Sequence, residues 1–316
     1  MRIVSLLASA TEMIAALGCL DQLVGRSHEC DYPPEVQRLP LLSRPVIDTN
    51  TSSKQIDTQI KQLAHARDDA QENALKALSI YTIDAELLQR LQPDIIFTQT
   101  QCEVCAVSEQ DVVQALEQTT GLRPRIVSLA PYRLQDVWED MLRVGKALNR
   151  ERQAQECIQG YQQRLQQLQA QTMSLVASGP RPRVAVLEWL DPLMGSGNWT
   201  PQLIDYAGGE NICGETGRHA PWLTWEQLSD LDPDVLILAP CGFTIERARQ
   251  DLPLLQKHPI WSTLRAVREG RVSIIDGNYY LNRSGPRLVE SAELLAHAIW
   301  QQRLPLSVDP SASILL

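Results

Sequence analysis

The residues with most chemical reach stand in two short clusters. "QCEVCAV" (101–107) sets Cys102 and Cys105 on either side of Glu103, directly after an apolar run. "GRSHECDYPP" (25–34) puts His28, Glu29 and Cys30 in a row, followed by Tyr32 and a rigid Pro-Pro. Three chemistries fit the first cluster. As a zinc clip, C-x-x-C supplies two thiolates, and a closed site needs four donors. His28, Cys30 and Cys241 follow apolar strand patterns and suit that role, so the candidate metal set is His28, Cys30, Cys102 and Cys105. As a redox pair, the placement between strand and helix resembles thioredoxin geometry, but an acid between two sulfurs disfavours the thiolate. As a pocket wall, the thiols are inert. Metal, redox and wall readings stay open, the last favoured. His28 alone serves either as a ligand to a metal or as a simple hydrogen-bonding residue.

Sets for bond-making chemistry are missing from the chain. It has no G-x-S-x-G elbow, no Walker loop and no H-E-x-x-H, and "GSGNW" (195–199) has too few glycines for a dinucleotide fingerprint. The expectation is a binding protein and not an enzyme, with thiol redox chemistry left open.

Positioning such loops requires a scaffold, and 316 residues suffice for two lobes of roughly 130 residues with proper cores. A net charge of −9 argues against nucleic acid as partner, since a nucleic-acid face shows clustered Lys and Arg. No apolar run reaches the roughly 18–20 residues of a membrane span. "MRIVSLLASATEM" begins a strand pattern at residue 2, leaving no room for a signal segment. Together with seven cysteines in no disulfide-framework spacing, this predicts a cytoplasmic protein with reduced thiols, periplasmic only if a signal peptide has been removed.

One internal echo organises the chain. Glu86, Leu88, Leu91, Pro93, Asp94 and Ile95 recur as Glu226, Leu228, Leu231, Pro233, Asp234 and Val235. Each copy reads as a short helix, a Pro-Asp turn and a buried strand. "RIVSL" (2–6) and "RVAVLEWL" (183–190) open the two halves alike. Alternating strands and helices imply parallel sheets with helices on both faces, and ligands at the carboxyl ends of strands. Leu134, Val137, Trp138, Met141, Leu142 and Leu148 keep helical spacing until Asn149. Ile158, Tyr161, Leu165 and Leu168 then mark a Gln-rich helix that "SGPRP" (178–182) ends. At 1.5 Å per residue, 150–175 spans roughly 40 Å, the length of a strut between lobes. The expected fold is α/β: two Rossmann-like lobes joined by a long backbone α-helix. The lobes are 1–132 and 179–304, with connecting helices over 133–178 and a tail at 305–316.

"SLLASATEMIAALGCLDQLVGRSHECDYPP" (5–34), "LQPDII" (91–96), "GGENICG" (208–214), "APWLTWEQLSDLDPDVLIL" (220–238) and "SGPRLVESAELL" (284–295) resemble, in order, the helix-linked substrate-binding proteins for cobalamin, haem and siderophores. The cobalamin-binding branch is the most similar. The resemblance implies a cleft between two lobes that close only slightly, and a corrinoid or another tetrapyrrole as ligand. It also implies acidic docking residues for a membrane ABC transporter. Glu109 stands at the first such position, while Asn282 takes the second, so transporter docking is not expected here.

Ligand candidates follow segment by segment. Ser9 and Glu12 fit a capping box that leaves N–H groups beside Thr11 for a ligand. His28, Glu29 and Tyr32 belong to the loop that lines the cleft in relatives, and Arg44 suits a ligand carboxylate or phosphate. Gln99, Gln101 and Cys102 occupy the area where cobalamin-binding relatives carry a stacking aromatic, and Gln99, Gln101 and Glu103 are the ligand candidates there. Trp189, Trp199, Trp222, Tyr279 and Tyr280 offer stacking area, Tyr280 at the place of the relatives' stacking Trp, with Arg283 beside it. Trp225 reads as helix-entry packing and Arg287 as a helix-start residue. Two rival functions remain: a metal-handling or metal-sensing protein, and a scaffold with a protein partner, for which "HARDDAQENALK" (65–76) and the tail are candidate segments.

Overall fold

The computed structural model describes residues 1–68, 81–101, 107–117, 119, 121–177, 179–304 and 309–316. It divides into two compact units. The first is Met1–Thr51, Gln55–Pro131 and Asp136–Ile158; the second is Ser52–Lys54, Tyr132–Gln135 and Gln159–Leu316. Both are α/β, and long helices link them.

In chain order the first unit carries β1 (Ile3–Ser5), α1 (Ala8–Ala16), β2 (Leu23–Arg26), β3 (Ser43–Pro45), α2 (Ser53–Asp68), β4 (Tyr81–Ile83), α3 (Ala85–Leu91), β5 (Ile95–Gln99), α4 (Glu109–Glu117) and β6 (Arg125–Leu129). A parallel sheet runs β2-β1-β5-β6, and β3 pairs antiparallel with β4. Strand β5 is buried throughout, as its unbroken apolar run predicts for a sheet covered on both faces.

Two helices follow: α5 (Leu134–Ala147) and α6 (Glu151–Val176). They break at Asn149, whose φ of +55° is the left-handed conformation a helix end favours. On α5 the expected face is buried except for Leu142, which is exposed. The 26 residues of α6 give it a length of about 39 Å. Its Ala154 and Ile158 are buried in the first unit, and Leu165 and Leu168 in the second.

The second unit holds β7 (Arg183–Leu187), β8 (Trp189–Leu190), β9 (Leu193–Met194), α7 (Thr200–Tyr206), β10 (Glu210–Asn211), α8 (Trp225–Leu231), β11 (Val235–Leu238), α9 (Ile245–Gln256), α10 (Arg265–Arg268), β12 (Val272–Ile275), α11 (Leu288–Trp300) and β13 (Ser313–Leu315). Its sheet runs β10-β7-β11-β12-β13, parallel except for β13. The end of the tail, Ser313–Leu315, is thus part of the sheet: Ile314 pairs with Ile274. Strands β8 and β9 form a hairpin.

The repeat is structural to the level of single bonds. Helices α3 and α8 both end on left-handed residues, Gln92 at φ +45° and Asp232 at +40°. The Pro-Asp turn then fixes the neighbouring strand. The Asp94 carboxylate accepts the Arg2 backbone N–H at 2.7 Å, and Asp234 accepts that of Arg183 at 2.8 Å. The arginine side chains donate back to the last helical carbonyls, Leu91 and Leu231.

Candidate functional site

Ligands of open parallel sheets sit beyond the carboxyl ends of strands. In the first unit, β1 runs directly into α1. Leu7, extended at φ −136°, is the N-cap and no side chain caps it. The expected capping box of Ser9 and Glu12 is therefore not formed: the helix starts at Ala8, ahead of Ser9, and Ser9, Thr11 and Glu12 are all buried inside it. Thr11 Oγ1 lies 2.8 Å from Ser5 Oγ and 3.0 Å from Cys30 Sγ, with one proton to give to either, while Ser27 Oγ lies 3.1 Å from the same sulfur. Cys30 is fully buried in this hydroxyl network beneath its loop.

The loop after β2 is stapled from its other side. Arg26 donates to the carbonyls of Ser27, Cys30 and Gln37. His28 Nδ1 pairs with Ser43 Oγ at 2.8 Å, its Nε2 stands 3.2 Å from Glu29 Oε1, and its ring leans on Tyr81. Tyr32 and Arg44 are exposed, and the Tyr32–Pro33 bond is cis. Gln99 is buried at the end of β5 and Gln101 is half-buried. Cys102, Glu103 and Cys105 lie outside the described residues, so the C-x-x-C part of the metal set does too. Among the described residues no three His, Cys, Asp or Glu side chains are grouped to hold a metal ion. Cys19, Cys30, Cys157, Cys213 and Cys241 are free thiols.

In the second unit, the loop after β12 gathers the densest set. Asp276 accepts the backbone N–H groups of Asn278 and Tyr279 at 3.0 and 2.8 Å, and burial raises its carboxyl above the usual range. Arg283 is buried, donates to Asn278 Oδ1 at 2.9 Å, and its guanidinium lies 5.3 Å from the Tyr279 ring. Arg287, the N-cap of α11, stands 4.9 Å over Tyr279 and 5.4 Å over Tyr280. Burial pushes the Tyr280 hydroxyl up, with Arg287 opposing. Two half-buried rings backed by two cations suit stacking against a flat ligand together with pairing to anionic substituents.

The tryptophans divide. Trp222 is 54% exposed. Trp189 packs on Phe243 at 5.2 Å, and its buried Nε1 has no hydrogen-bond acceptor among the described residues. Trp199 is 5% exposed, and its Nε1 donates to the Leu281 carbonyl, so its ring is a core pin. Trp225 stacks on His258 at 4.1 Å, as helix-entry packing. Sequence reading missed Glu188, a buried acid at the end of β7, and the Arg26 staple. A charge closing the apolar run "RVAVL" was the available signal for Glu188. An open groove of about 380 Å³ in the first unit, lined by Val113, Leu116, Leu122 and Ile126, adjoins the amino end of β6, away from these loops.

The family model for periplasmic binding proteins matches residues 3–279. The chain belongs to the periplasmic binding protein family. It is similar to a vitamin B12-binding protein of Pectobacterium atrosepticum, 25% identical over 99% of this chain and 91% of that protein. It is also similar to an uncharacterized ABC transporter substrate-binding lipoprotein of Bacillus subtilis, 23% identical over 95% of this chain and 80% of the other. Among solved structures, a periplasmic heme-binding protein from Pseudomonas aeruginosa superposes with a TM-score of 0.70 at 22% identity, covering 97% of this chain and 95% of that one. The periplasmic vitamin B12-binding protein of Vibrio cholerae gives 0.62 at 21%, covering 94% and 96%.

Membership of this family carries binding in place of bond-making. It also corrects the cytoplasmic placement: the matched family is periplasmic, and relatives include a lipoprotein and periplasmic proteins. An N-terminus that reads as a strand was the wrong guide to location. Among the described residues no helix is long and apolar enough to cross a membrane. Of the two positions matched to docking acids, Glu109 accepts from Ser128 Oγ at 2.5 Å. Asn282 donates through Nδ2 to the carbonyls of Ala239 and Gly277, at 2.9 and 3.0 Å.

Proposed function

We propose that this periplasmic binding protein takes a corrinoid or a related tetrapyrrole, holding it with the carboxyl-edge loops of its units. The observation that carries the reading is likeness to a vitamin B12-binding protein along 99% of the chain, because fold alone does not choose a ligand. The chemistry of the second unit supports it. Tyr279 and Tyr280 present aromatic faces with Arg283 and Arg287 behind them, suited to a flat macrocycle with polar substituents. In the first unit, His28, Glu29 and Tyr32 on the stapled loop and Gln99 and Gln101 at the end of β5 are the proposed contacts. The partner in this reading is a small molecule. Transporter docking through position 282 has no part in it, because the Asn282 amide is used internally.

Thermal unfolding with cyanocobalamin, cobinamide and hemin tests the reading. A ligand at a hundred times its Kd adds about 2.7 kcal/mol and raises Tm by several degrees. A rise with at least one of the three is expected. No rise with any of them at about 100 µM, where even micromolar binding registers, overturns it.

A further inference from the structure

The segment 309–316 has no place in the ligand reading above, yet it holds the loop on which that reading depends. Strand β13 is an antiparallel edge on an otherwise parallel sheet, with Ser313, Ile314 and Leu315 opposite Ile275, Ile274 and Ser273. The Leu316 N–H donates to the Val272 carbonyl at 2.8 Å, and the Asp276 N–H donates to the Ala312 carbonyl at 3.0 Å. Bonded and non-bonded pairs alternate in an antiparallel ladder, so these two bracket a third bonded pair, Ile274 with Ile314. The ladder thus runs past the end of β12 and takes in the first residue of the loop that carries Tyr279 and Tyr280.

The turn that presents the Ala312 carbonyl is itself built. Asp309 Oδ1 accepts the Ser311 N–H at 2.9 Å, the Asp309 carbonyl accepts the Ala312 N–H at 3.0 Å, and Ala312 is buried. An aspartate closing on the backbone two residues ahead pre-sets such a turn. On the loop side, Asp276 is the pivot. Its N–H is taken by the tail, its carbonyl accepts the Tyr280 N–H at 3.0 Å, and its Oδ1 accepts those of Asn278 and Tyr279. One residue therefore fixes the backbone under both rings, and the tail fixes that residue. The far side of the loop has other holds: the Asn278 N–H donates to the Phe243 carbonyl at 3.0 Å and the Leu281 N–H to Ser291 Oγ at 2.9 Å.

We propose that the C-terminal segment 309–316 is a positioning element for ligand binding: through the bond from Asp276 to Ala312 it sets the backbone that aims Tyr279 and Tyr280. The consequence for affinity rests on the ligand reading above, while the consequence for the loop does not. With the tail in place the loop is ordered before a ligand arrives. With the tail released, that ordering has to be met on binding, and affinity falls accordingly.

The test is amide hydrogen exchange of the full chain, read by peptide mass spectrometry without ligand, followed by cyanocobalamin affinity. Ile314→Pro removes the N–H of the central ladder pair and releases the strand, while Ile314→Val keeps it. Exchange over 276–280 is expected to speed about tenfold or more in Ile314→Pro, with β7 and β11 as protected as in wild type. Affinity is expected to fall about tenfold or more in Ile314→Pro and to stay within about twofold of wild type in Ile314→Val. Unchanged exchange over 276–280 in Ile314→Pro, with 313–316 exchanging freely, overturns the proposal. So does unchanged affinity in a variant whose loop has loosened. If Ile314→Pro leaves 313–316 protected, or strips β7 and β11 as well, Asp309→Ala decides, because it uncaps only the turn. Faster exchange over 276–280 in that variant supports the proposal, and none overturns it. If cyanocobalamin binds neither wild type nor variants, the ligand reading loses its first probe, while the exchange profiles still decide whether the tail sets the loop.

Discussion

The indole Nε1 of Trp199 donates a 2.6 Å hydrogen bond to the carbonyl oxygen of Leu281, a fully buried leucine held at φ +60°. A left-handed leucine persists only where its surroundings over-determine it. Here Ser291 Oγ also accepts the Leu281 N–H, at 2.9 Å. These bonds set the loop that carries Tyr279, Tyr280 and Arg283. Trp199→Phe keeps most of the apolar volume but leaves that carbonyl without its donor. The expected cost is about 1–3 kcal/mol, read as a lower urea midpoint with an unchanged m-value.

Asn282→Asp tests the neighbouring staple. The amide donates to two carbonyl oxygens, and a carboxylate in its place sets acceptor against acceptor. A loss of about 2 kcal/mol or more at pH 7 is expected, partly recovered near pH 4 as the new acid protonates. Equal stability of variant and wild type at neutral pH would show that the staple contributes nothing.

Asp140 on α5 predicts a pH dependence of stability. Burial pushes its carboxyl up to about 6 from an ordinary 3.8, with Arg143 and the Ala130 backbone opposing. The folded protein binds this proton more tightly than the unfolded chain. The contribution is therefore full below 3.8 and is lost as pH rises through about 6. Its size is about 2–3 kcal/mol. Asp140→Asn is expected to flatten this part of a denaturation profile taken from pH 4 to 7.

Arg164 on α6 pairs with Glu290 at 2.7 Å and Glu293 at 3.0 Å, both on α11. Arg164→Met leaves two partly buried carboxylates facing each other. A loss of about 1 kcal/mol is expected, shrinking in high salt because the arginine is itself partly exposed.

The architecture was legible where hydrophobic period and turn chemistry coincide. Leu88 and Leu228, with the Pro-Asp turns at Asp94 and Asp234, announce two like units because each copy needs the same helix stop and strand start. Asn149 likewise marks the break between α5 and α6. What residue type does not carry is direction. Trp199 reads as a stacking surface yet points into the core, and Leu142 keeps helical spacing yet faces out. The capping box at Ser9 failed because β1 feeds α1 two residues earlier. The "SIL" of β13 looked like a tail because its partner, β12, is some 40 residues away in sequence, and local pattern cannot show such pairing. Location was misread for a different reason: it is not a property that folded residues encode.

Calorimetric titration of the full chain with cyanocobalamin tests the central claim most directly. The account predicts saturable binding of one ligand per chain with a Kd of about 1 µM or tighter. Tyr280→Ala is expected to weaken it about tenfold or more through the lost stacking face. No heat and no change in corrin absorbance at about 100 µM ligand, from protein that unfolds cooperatively, would contradict it.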